Sequence, residues 1–308
     1  MSIPRKHHYL PEFYLRRWAL NGQVFRYVRP KGKDGPLDCR RKPPSAIGYE
    51  RDLYHLPDID EPVVSQQLES EFFQRIDDRA AVALQKLDRL ERGSVADRVA
   101  LSQFVISLLH RSPGRLTSMR SELSSRVDGA PYADLEGDEF ERVLKATCNR
   151  LLASLVESND AEALVSSFKA FRIDVSGSQK SLLTSDCPVT ISAQLVANDA
   201  FMILPYAPNR LLILTHHEAI ANAFSSQPPD VLVAGINQAV VEQSEDVIVA
   251  YDKKATRMID RLFLRPASEK ARDSIGLIRR RSPLVDLAPK VRTFSRNDKK
   301  AMIYLGRT

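Results

Sequence analysis

The sequence predicts an α+β fold in which a helical bundle packs against a small, mainly antiparallel sheet. Two observations predict it. From about residue 62 to 168, apolar residues recur at the three- and four-residue spacing of amphipathic helices. After residue 169 the pattern changes to short apolar runs bounded by Pro, Asn and Asp, which is typical of strands. We therefore expect a single domain over residues 1–265, with a helical half at 62–168 and a sheet-rich half at 169–265.

The first 60 residues predict one short helix and two strands. Pro11 suits the first turn of a helix within His7 to Ala19. Alternating residues predict a strand over Val24 to Val28, and a second short strand is expected over Asp52 to Leu56. Residues 30–47 are rich in Pro, Gly and basic residues, so we expect a loop there.

Four helices are expected in the helical half. Ser94 and Asp97 have the spacing of a capping box, and Pro113 and Asp138 are suitable first-turn or capping residues. The expected helices cover about residues 62–92, 95–110, 113–127 and 138–155.

The sheet-rich half carries short apolar runs and two helical patterns. Thr215 and Glu218 have the spacing of a capping box for a helix over 219–224. A longer helix is expected from Asp230 to about Glu245, whereas residues 247–251 fit a strand or a helix equally. The expected strands lie near 171–175, 182–183, 189–192, 201–204 and 211–214.

The amino-acid composition limits the classes of protein to which the chain can belong. Of the 308 residues, 43% are apolar and 27% are charged, which excludes a wholly disordered chain, a collagen-like chain and a disulfide scaffold. Three scattered cysteines are too few for a zinc ribbon and suit a reducing compartment. No apolar run is long enough to span a membrane. We therefore expect a cytoplasmic protein with no membrane partner.

Charge is distributed unevenly. Residues 1–60 hold 12 Lys or Arg against 7 Asp or Glu, residues 61–252 hold 17 against 27, and residues 253–308 hold 16 against 5. Basic segments at both ends favour a polyanion partner, so nucleic acid is the expected partner of these segments. Residues 266–308 have few apolar anchors, and we expect them to form a basic, loosely ordered tail.

The opening residues RKHHYLPEFYLRRWA contain His8, Tyr9, Pro11 and Phe13 in a His-Tyr-x-Pro-x-Phe-Tyr-Leu pattern. This pattern resembles the start of a bacterial family of domains of unknown function, number forty-two thirty-eight. Three further pieces are similar to that family: the segments 110–113 and 184–188, and Asn237 in a late helix. The resemblance covers roughly residues 6 to 260. It implies an architecture and candidate residues, but no reaction.

His8, Asp186 and Glu71 are the candidate metal ligands. An imidazole can bind a metal or act as a general base, although His8 can equally be a hydrogen-bonding residue at a helix start. Asp186 follows a strand, where carboxylates bind metals or orient a histidine, but it can also form an Asx-turn. Glu71 flanks a buried helix face, and a surface pair with Arg75 is its alternative.

Arg111 follows an apolar helix and precedes Pro113. Its guanidinium can fork onto a phosphate or carboxylate, or it can cap the carbonyls that end the first helix. Asn237 shares a helix face with Val233 and Val241, so its amide must bond a loop or a ligand. Tyr9 and Asn237 are the predicted binding residues, while His8, Arg111 and Asp186 are the predicted catalytic residues.

Two functional hypotheses follow. In the first, the protein is a metal-dependent hydrolase of nucleic acid or another phosphodiester, with a divalent cation at His8 and Asp186 and with Arg111 on the phosphate. In the second, it is a non-catalytic nucleic-acid or protein binding module whose polar residues lock the two halves together. The first hypothesis predicts that His8, Arg111, Asp186 and Asn237 line one pocket. Standard nucleotide-binding, zincin and serine-hydrolase signatures are absent.

Overall fold

A computed structural model gives the fold as α+β, in agreement with the predicted class. The structure describes residues 5–31, 35–57, 59, 64–126, 137–157, 166–192 and 199–263. The predicted tail over residues 266–308 lies outside the described residues.

The described helices fall mainly where periodicity predicted them. A 3-10 turn follows α1 at Arg16–Trp18, and a π-helical stretch, Leu68–Phe73, leads into α2. The capping box that opens α3 is present, with Asp97 and Ser94 bonding each other's backbone amides. The α-helices are α1 Glu12–Leu15, α2 Gln74–Asp88, α3 Val95–His110, α4 Pro113–Arg126, α5 Gly137–Glu157, α6 Glu218–Ser225, α7 Pro229–Gln243 and α8 Thr256–Leu262.

Three antiparallel sheets account for the described strands. One pairs β1 with β4, a second has the order β3-β2-β10-β6, and a third has the order β5-β9-β8-β7. The strands are β1 Lys6–His8, β2 Val24–Val28, β3 Asp38–Lys42, β4 Tyr49–Arg51, β5 Lys169–Asp174, β6 Leu183–Ser185, β7 Thr190–Ile191, β8 Phe201–Ala207, β9 Arg210–Thr215 and β10 Ile248–Ala250.

In the β5-β9-β8-β7 sheet, the strands β7, β8 and β9 are buried on both faces, and every residue of β8 is buried, whereas the edge strand β5 is mostly half-buried. Leu212 and Leu214 belong to a core cluster that also holds residues of α2, α3 and α5. Leu211 and Ile213, on the opposite face, belong to a second core cluster with residues of α6, α7 and α8. Burial on both faces explains why these strands read as continuous apolar runs rather than alternating ones.

Several N-terminal predictions were wrong in detail. The strand predicted over 52–56 lies earlier, at β4, while His7 and His8 lie in the strand β1, ahead of the helix predicted within His7 to Ala19. Asp52 ends β4 because its φ is 53°, a left-handed conformation that interrupts an extended chain. The predicted loop over 30–47 contains β3, which pairs with β2.

Three elements in the sheet-rich half were predicted wrongly, left open or not predicted from the sequence. The helix cap predicted at Thr215 is instead His217, with no side-chain cap, so the box with Glu218 is wrong. The stretch around 247–251 is a strand, because β10 inserts between β2 and β6. The helix α8 was not predicted from the sequence.

Candidate functional site

Arg111 lies at the C-terminal end of α3 and is fully buried. Its Nε donates to the carbonyl of Tyr9 at 2.9 Å, and its Nη1 donates to Oδ1 of Asp77 at 3.0 Å. The rings of Phe73 and Phe104 flank the guanidinium at 5.5 and 5.7 Å. The guanidinium therefore points its charge at the N-terminal segment and α2 rather than at the carbonyls that end α3.

Asp77 is the counter-ion of this buried cation. Burial raises the pKa of its carboxyl to about 6, and the charge of Arg111 opposes that shift. Above that pH the carboxylate is ionised and pairs with the guanidinium. A buried cation needs such a partner, since removing it would leave an uncompensated charge.

His8 and Glu69 lie beside this ion pair. The backbone amide of His8 donates to Oε1 of Glu69 at 3.1 Å, and β1–β4 pairing holds His8 opposite Tyr49. Burial lowers the pKa of His8, and burial raises the pKa of Glu69 to about 7; the charge of Arg111 acts on both groups. His8 is therefore a neutral imidazole near pH 7, where Glu69, with a pKa of about 7, is protonated in about half of the molecules.

Three buried polar atoms in this group have no hydrogen-bond partner among the described residues: Nη2 of Arg111, Oε2 of Glu69 and Nε2 of His8. We call His8, Glu69, Asp77 and Arg111 the Arg111 cluster. Its members come from β1, the π-helical stretch, α2 and the end of α3, so the fold brings together four separate segments.

Glu71, the acidic residue predicted from this region, is exposed. Glu69 is half-buried, and its Oε2 atom is buried. In the π-helical stretch Leu68–Phe73 the buried residues are Leu68, Phe72 and Phe73, so the buried face is broader than the Leu68–Phe72 stripe alone, and Glu71 lies off it. The four-residue spacing of Glu69, Phe73 and Asp77 is the signal that pointed to the missed pair.

Asp186 lies after β6 and is 2% exposed. Its Oδ1 accepts from the backbone amide of Glu245 at 3.0 Å, and its Oδ2 accepts from those of Asp246 and Val247, at 2.5 and 3.2 Å. The amides belong to the segment between α7 and β10, not to the turn around Asp186 itself. The carboxylate therefore connects two strands of one sheet at their ends.

Glu245 is the second buried carboxyl at this place. Its Oε2 accepts from the hydroxyl of Ser112 at 3.0 Å, and its Oε1 lies 3.6 Å from Nε of Arg115. Burial first, and the neighbouring Glu245 second, raise the pKa of Asp186 to about 7. The thiol of Cys187 lies 3.9 Å from the Ser112 hydroxyl oxygen. We call Ser112, Arg115, Asp186, Cys187 and Glu245 the Glu245 cluster; the sequence pointed to Asp186 but not to Glu245, Ser112 or Arg115.

The two clusters are neighbours. The segment 111–115 supplies Arg111 to the first and Ser112 and Arg115 to the second. Tyr9 lies at the same junction, because its carbonyl accepts from Arg111 while the charge of Asp186, after burial, raises the pKa of its hydroxyl. One short turn, the segment 111–115, therefore joins the cluster of His8 and Arg111 to the cluster of Asp186. Tyr9 lies at the same turn.

Asn237 does not join them. Its Oδ1 accepts from the amide of Leu183 at 2.8 Å, and its Nδ2 donates to the carbonyl of Ser181 at 2.9 Å. Both halves of the amide therefore tie α7 to the entry of β6. This is the loop-bonding alternative that the sequence left open.

Replacing Asp186 with asparagine is expected to lower the free energy of unfolding by about 2 kcal/mol. The asparagine side chain keeps one acceptor oxygen, but its NH2 group then faces at least one of the three buried backbone N–H donors. A buried donor without a partner costs about 1–3 kcal/mol. Urea unfolding measures the change. Asp78→Asn, at an exposed position on α2, is the control, with an expected change within about 0.5 kcal/mol. Equal stability of the two variants would contradict the structural role of Asp186.

The metal prediction rests on His8, Asp186 and Glu71. Among the residues that the structure describes, no group of three or more His, Cys, Asp or Glu side chains is placed to hold a metal ion. Glu71 is exposed and His8 and Asp186 belong to different clusters, so these three do not form one ligand set in the described fold.

A family model described as "Protein of unknown function (DUF4238)" matches residues 6–254. The chain belongs to this family. The match includes both clusters and all the predicted site residues of this DUF4238 protein. No curated protein and no solved structure matches the chain. Within the part of the DUF4238 chain that the structure describes, no helix has the length and apolar character needed to cross a membrane.

Proposed function

We propose that this DUF4238 protein is a hydrolase of phosphodiesters, with nucleic acid as its substrate class, and that the Arg111 cluster is its catalytic site. One observation carries the proposal: three buried polar atoms without partners, on Arg111, Glu69 and His8, belong to one cluster. Buried polar atoms in folded proteins nearly always bond protein, water or a ligand. The Glu245 cluster has two such atoms among the described residues, on Arg115 and Glu245, and the three at the Arg111 cluster support a place where a polar anionic molecule binds.

The charges at this site suit acid–base chemistry on a phosphodiester. Nη2 of Arg111 would donate to a phosphate oxygen, and Asp77 would hold the guanidinium in place. Nε2 of the neutral His8 would take a proton from the attacking water. The protonated carboxyl of Glu69 would give its proton to the leaving oxygen. Two titratable groups whose pKa values are moved in opposite directions are the usual arrangement for such a division of roles.

The pH dependence of hydrolysis tests these roles. The substrate is a small activated diester, bis(p-nitrophenyl) phosphate, and the enzyme is the full chain. The rate is expected to rise with pH as His8 loses its proton, below the ordinary value of 6.5, and to fall above about 7 as Glu69 ionises. A rate that keeps rising above pH 8 would exclude Glu69 as the acid.

The same assay is run in EDTA and with added Mg²⁺ or Mn²⁺, because the sequence predicted a divalent cation held by His8, Asp186 and Glu71, and His8 belongs to this site. Full activity in EDTA supports the acid–base form of the proposal. Activity only with added metal supports the metal-dependent form, with His8 as a ligand. No cleavage of the small diester, RNA or DNA under any of these conditions overturns the hydrolase proposal.

A second candidate function is a non-catalytic binding module. The contacts of Asp186 and Asn237 favour it, since both side chains bond backbone groups of distant segments. Under this alternative, the Arg111 cluster binds an anion without turning it over. Binding of a non-hydrolysable phosphate ester with no cleavage of the diester would support it.

A further inference from the structure

A basic pocket of about 310 Å³ lies between α7 and α8, away from both clusters. Four cationic side chains line it: Lys180, Lys254, Arg257 and Arg261. Its other lining residues include Asn237 and Met258, and none is a carboxylate. All four cations are exposed, so the pocket presents concentrated positive charge to the solvent.

The two arginines are available to a ligand. Arg257 and Arg261 stand four residues apart on α8, so they share one face of that helix. Neither makes a hydrogen bond or an ion pair with the residues that the structure describes. The nearby carboxylate of Asp260 is bound by Arg29 instead, at 2.7 Å. The positive charge of these two arginines is therefore not neutralised by an ion pair with the described residues, whereas Lys180 lies near Asp230 and helps to lower the pKa of that carboxyl.

The positive surface continues beyond the pocket onto an aromatic ring. Lys253, adjacent to Lys254, lies over the ring of Phe25 at 5.4 Å, and Arg41 lies over the same ring at 5.7 Å. Phe25 is half-buried in β2, next to β10. Positive grooves combined with aromatic rings are the usual means of binding single-stranded nucleic acid without sequence preference.

Positive charge continues along the sequence beyond α8. The helix α8 ends at Leu262, and residues 266–308 hold 11 Lys or Arg against 4 Asp or Glu. The basic segment is thus covalently joined to the helix that carries Arg257 and Arg261.

We propose that the basic pocket binds the phosphate backbone of single-stranded nucleic acid, and that it is a substrate-binding surface separate from the Arg111 cluster. The choice of nucleic acid rests on the proposed function. A single strand fits better than a duplex because the pocket is concave and has an apolar wall at Met258, which suits an unstacked nucleotide.

Fluorescence anisotropy with a labelled single strand of about 20 nucleotides tests the proposal, using the full chain at about 50 to 300 mM salt. The test variant is Arg257→Gln with Arg261→Gln. The matched control is Arg79→Gln with Arg89→Gln, two exposed arginines associated with α2 that give the same change in net charge. The test variant is expected to bind about 10-fold more weakly at 100 mM salt. The slope of log Kd plotted against the logarithm of the salt concentration should fall by about 1.4 in this variant. The control variant should match the wild type.

Three results would overturn the proposal: no binding by the wild type at low salt, equal losses in both double variants, or a preference for duplex over single strand. Displacement of the strand by inorganic phosphate at low millimolar concentration would also overturn it, in favour of a site for free phosphate. Hydrolysis of bis(p-nitrophenyl) phosphate, which is too small to use the pocket, is measured in the same variants. If the test variant loses binding but hydrolyses the small diester at the wild-type rate, the pocket acts separately from the proposed catalytic site. If the wild type binds the strand but hydrolyses no substrate, the catalytic proposal alone has failed.

Discussion

Replacing Glu69 with glutamine is expected to lower kcat for the small diester by about 100-fold or more, which is the usual contribution of a general acid. Glutamine has nearly the same size and can still accept from the amide of His8, but it cannot release a proton. The alkaline limb of the pH–rate profile should disappear in the same variant, because burial raises the pKa of Glu69 to about 7 and this group sets that limb.

Glu71→Gln is the matched control, since Glu71 lies two residues away in the same π-helical stretch and is exposed. It should keep the wild-type rate. Stability separates a catalytic role from a structural one. The folded-state pKa of Glu69 is above its ordinary value, so ionisation at pH 8 destabilises the fold, and Glu69→Gln should be at least as stable as the wild type there. A variant that unfolds more easily and hydrolyses normally would show that Glu69 has only a structural role.

Replacing Gly114 with alanine is expected to lower the free energy of unfolding by about 3 kcal/mol, by breaking the buried contacts of Glu245. A Cβ at this position would clash with Oε2 of Glu245. The carboxylate must then move away from the hydroxyl of Ser112 and from Arg115, although its side chain is only 1% exposed. Thermal and urea unfolding measure the loss.

Gly93→Ala provides the control for that variant. A Cβ at Gly93 would meet Cβ of Asp97 at 3.7 Å, an ordinary contact, and the residue is exposed between α2 and α3. Its expected change is within about 0.5 kcal/mol. If Gly114→Ala is as stable as Gly93→Ala, the Glu245 cluster does not contribute to stability in the way its contacts indicate.

Local patterns were sufficient for the starts of α3 and α4, whereas the helix expected from residue 62 has a 3-10 turn at Val64–Gln66 and a π-helical stretch at Leu68–Phe73 before it becomes α-helical at Gln74. The box of Ser94 and Asp97 and the proline at Pro113 are chemical signals confined to one turn, and the helices begin where they indicate. The strand β10 could not be assigned by period, because a three-residue strand between two others gives no repeat; its pairing with β2 and β6 decides it.

The candidate site was predictable in part for the same reason. Arg111 stood out because a cation directly follows an apolar helix. Its partners come from β1, the π-helical stretch and α2, and no local signal in the sequence joins them. Glu245 was missed because only its contacts with Ser112 and Arg115 identify it as a member of a buried cluster, and those two residues lie more than a hundred residues earlier.

The sheet β3-β2-β10-β6 also constrains how the protein is made. During translation β2 is complete at Val28, but its neighbour β10 begins only at Ile248, about 220 residues later. At about 5 to 20 residues per second, the ribosome needs roughly 10 to 40 seconds to deliver that neighbour. Throughout this interval one edge of β2 has no native strand to pair with, and such an edge is a template for association with other chains. Before residue 250 leaves the ribosome, the β2–β3 hairpin of the nascent chain therefore has an unpaired edge at which it can associate with other chains.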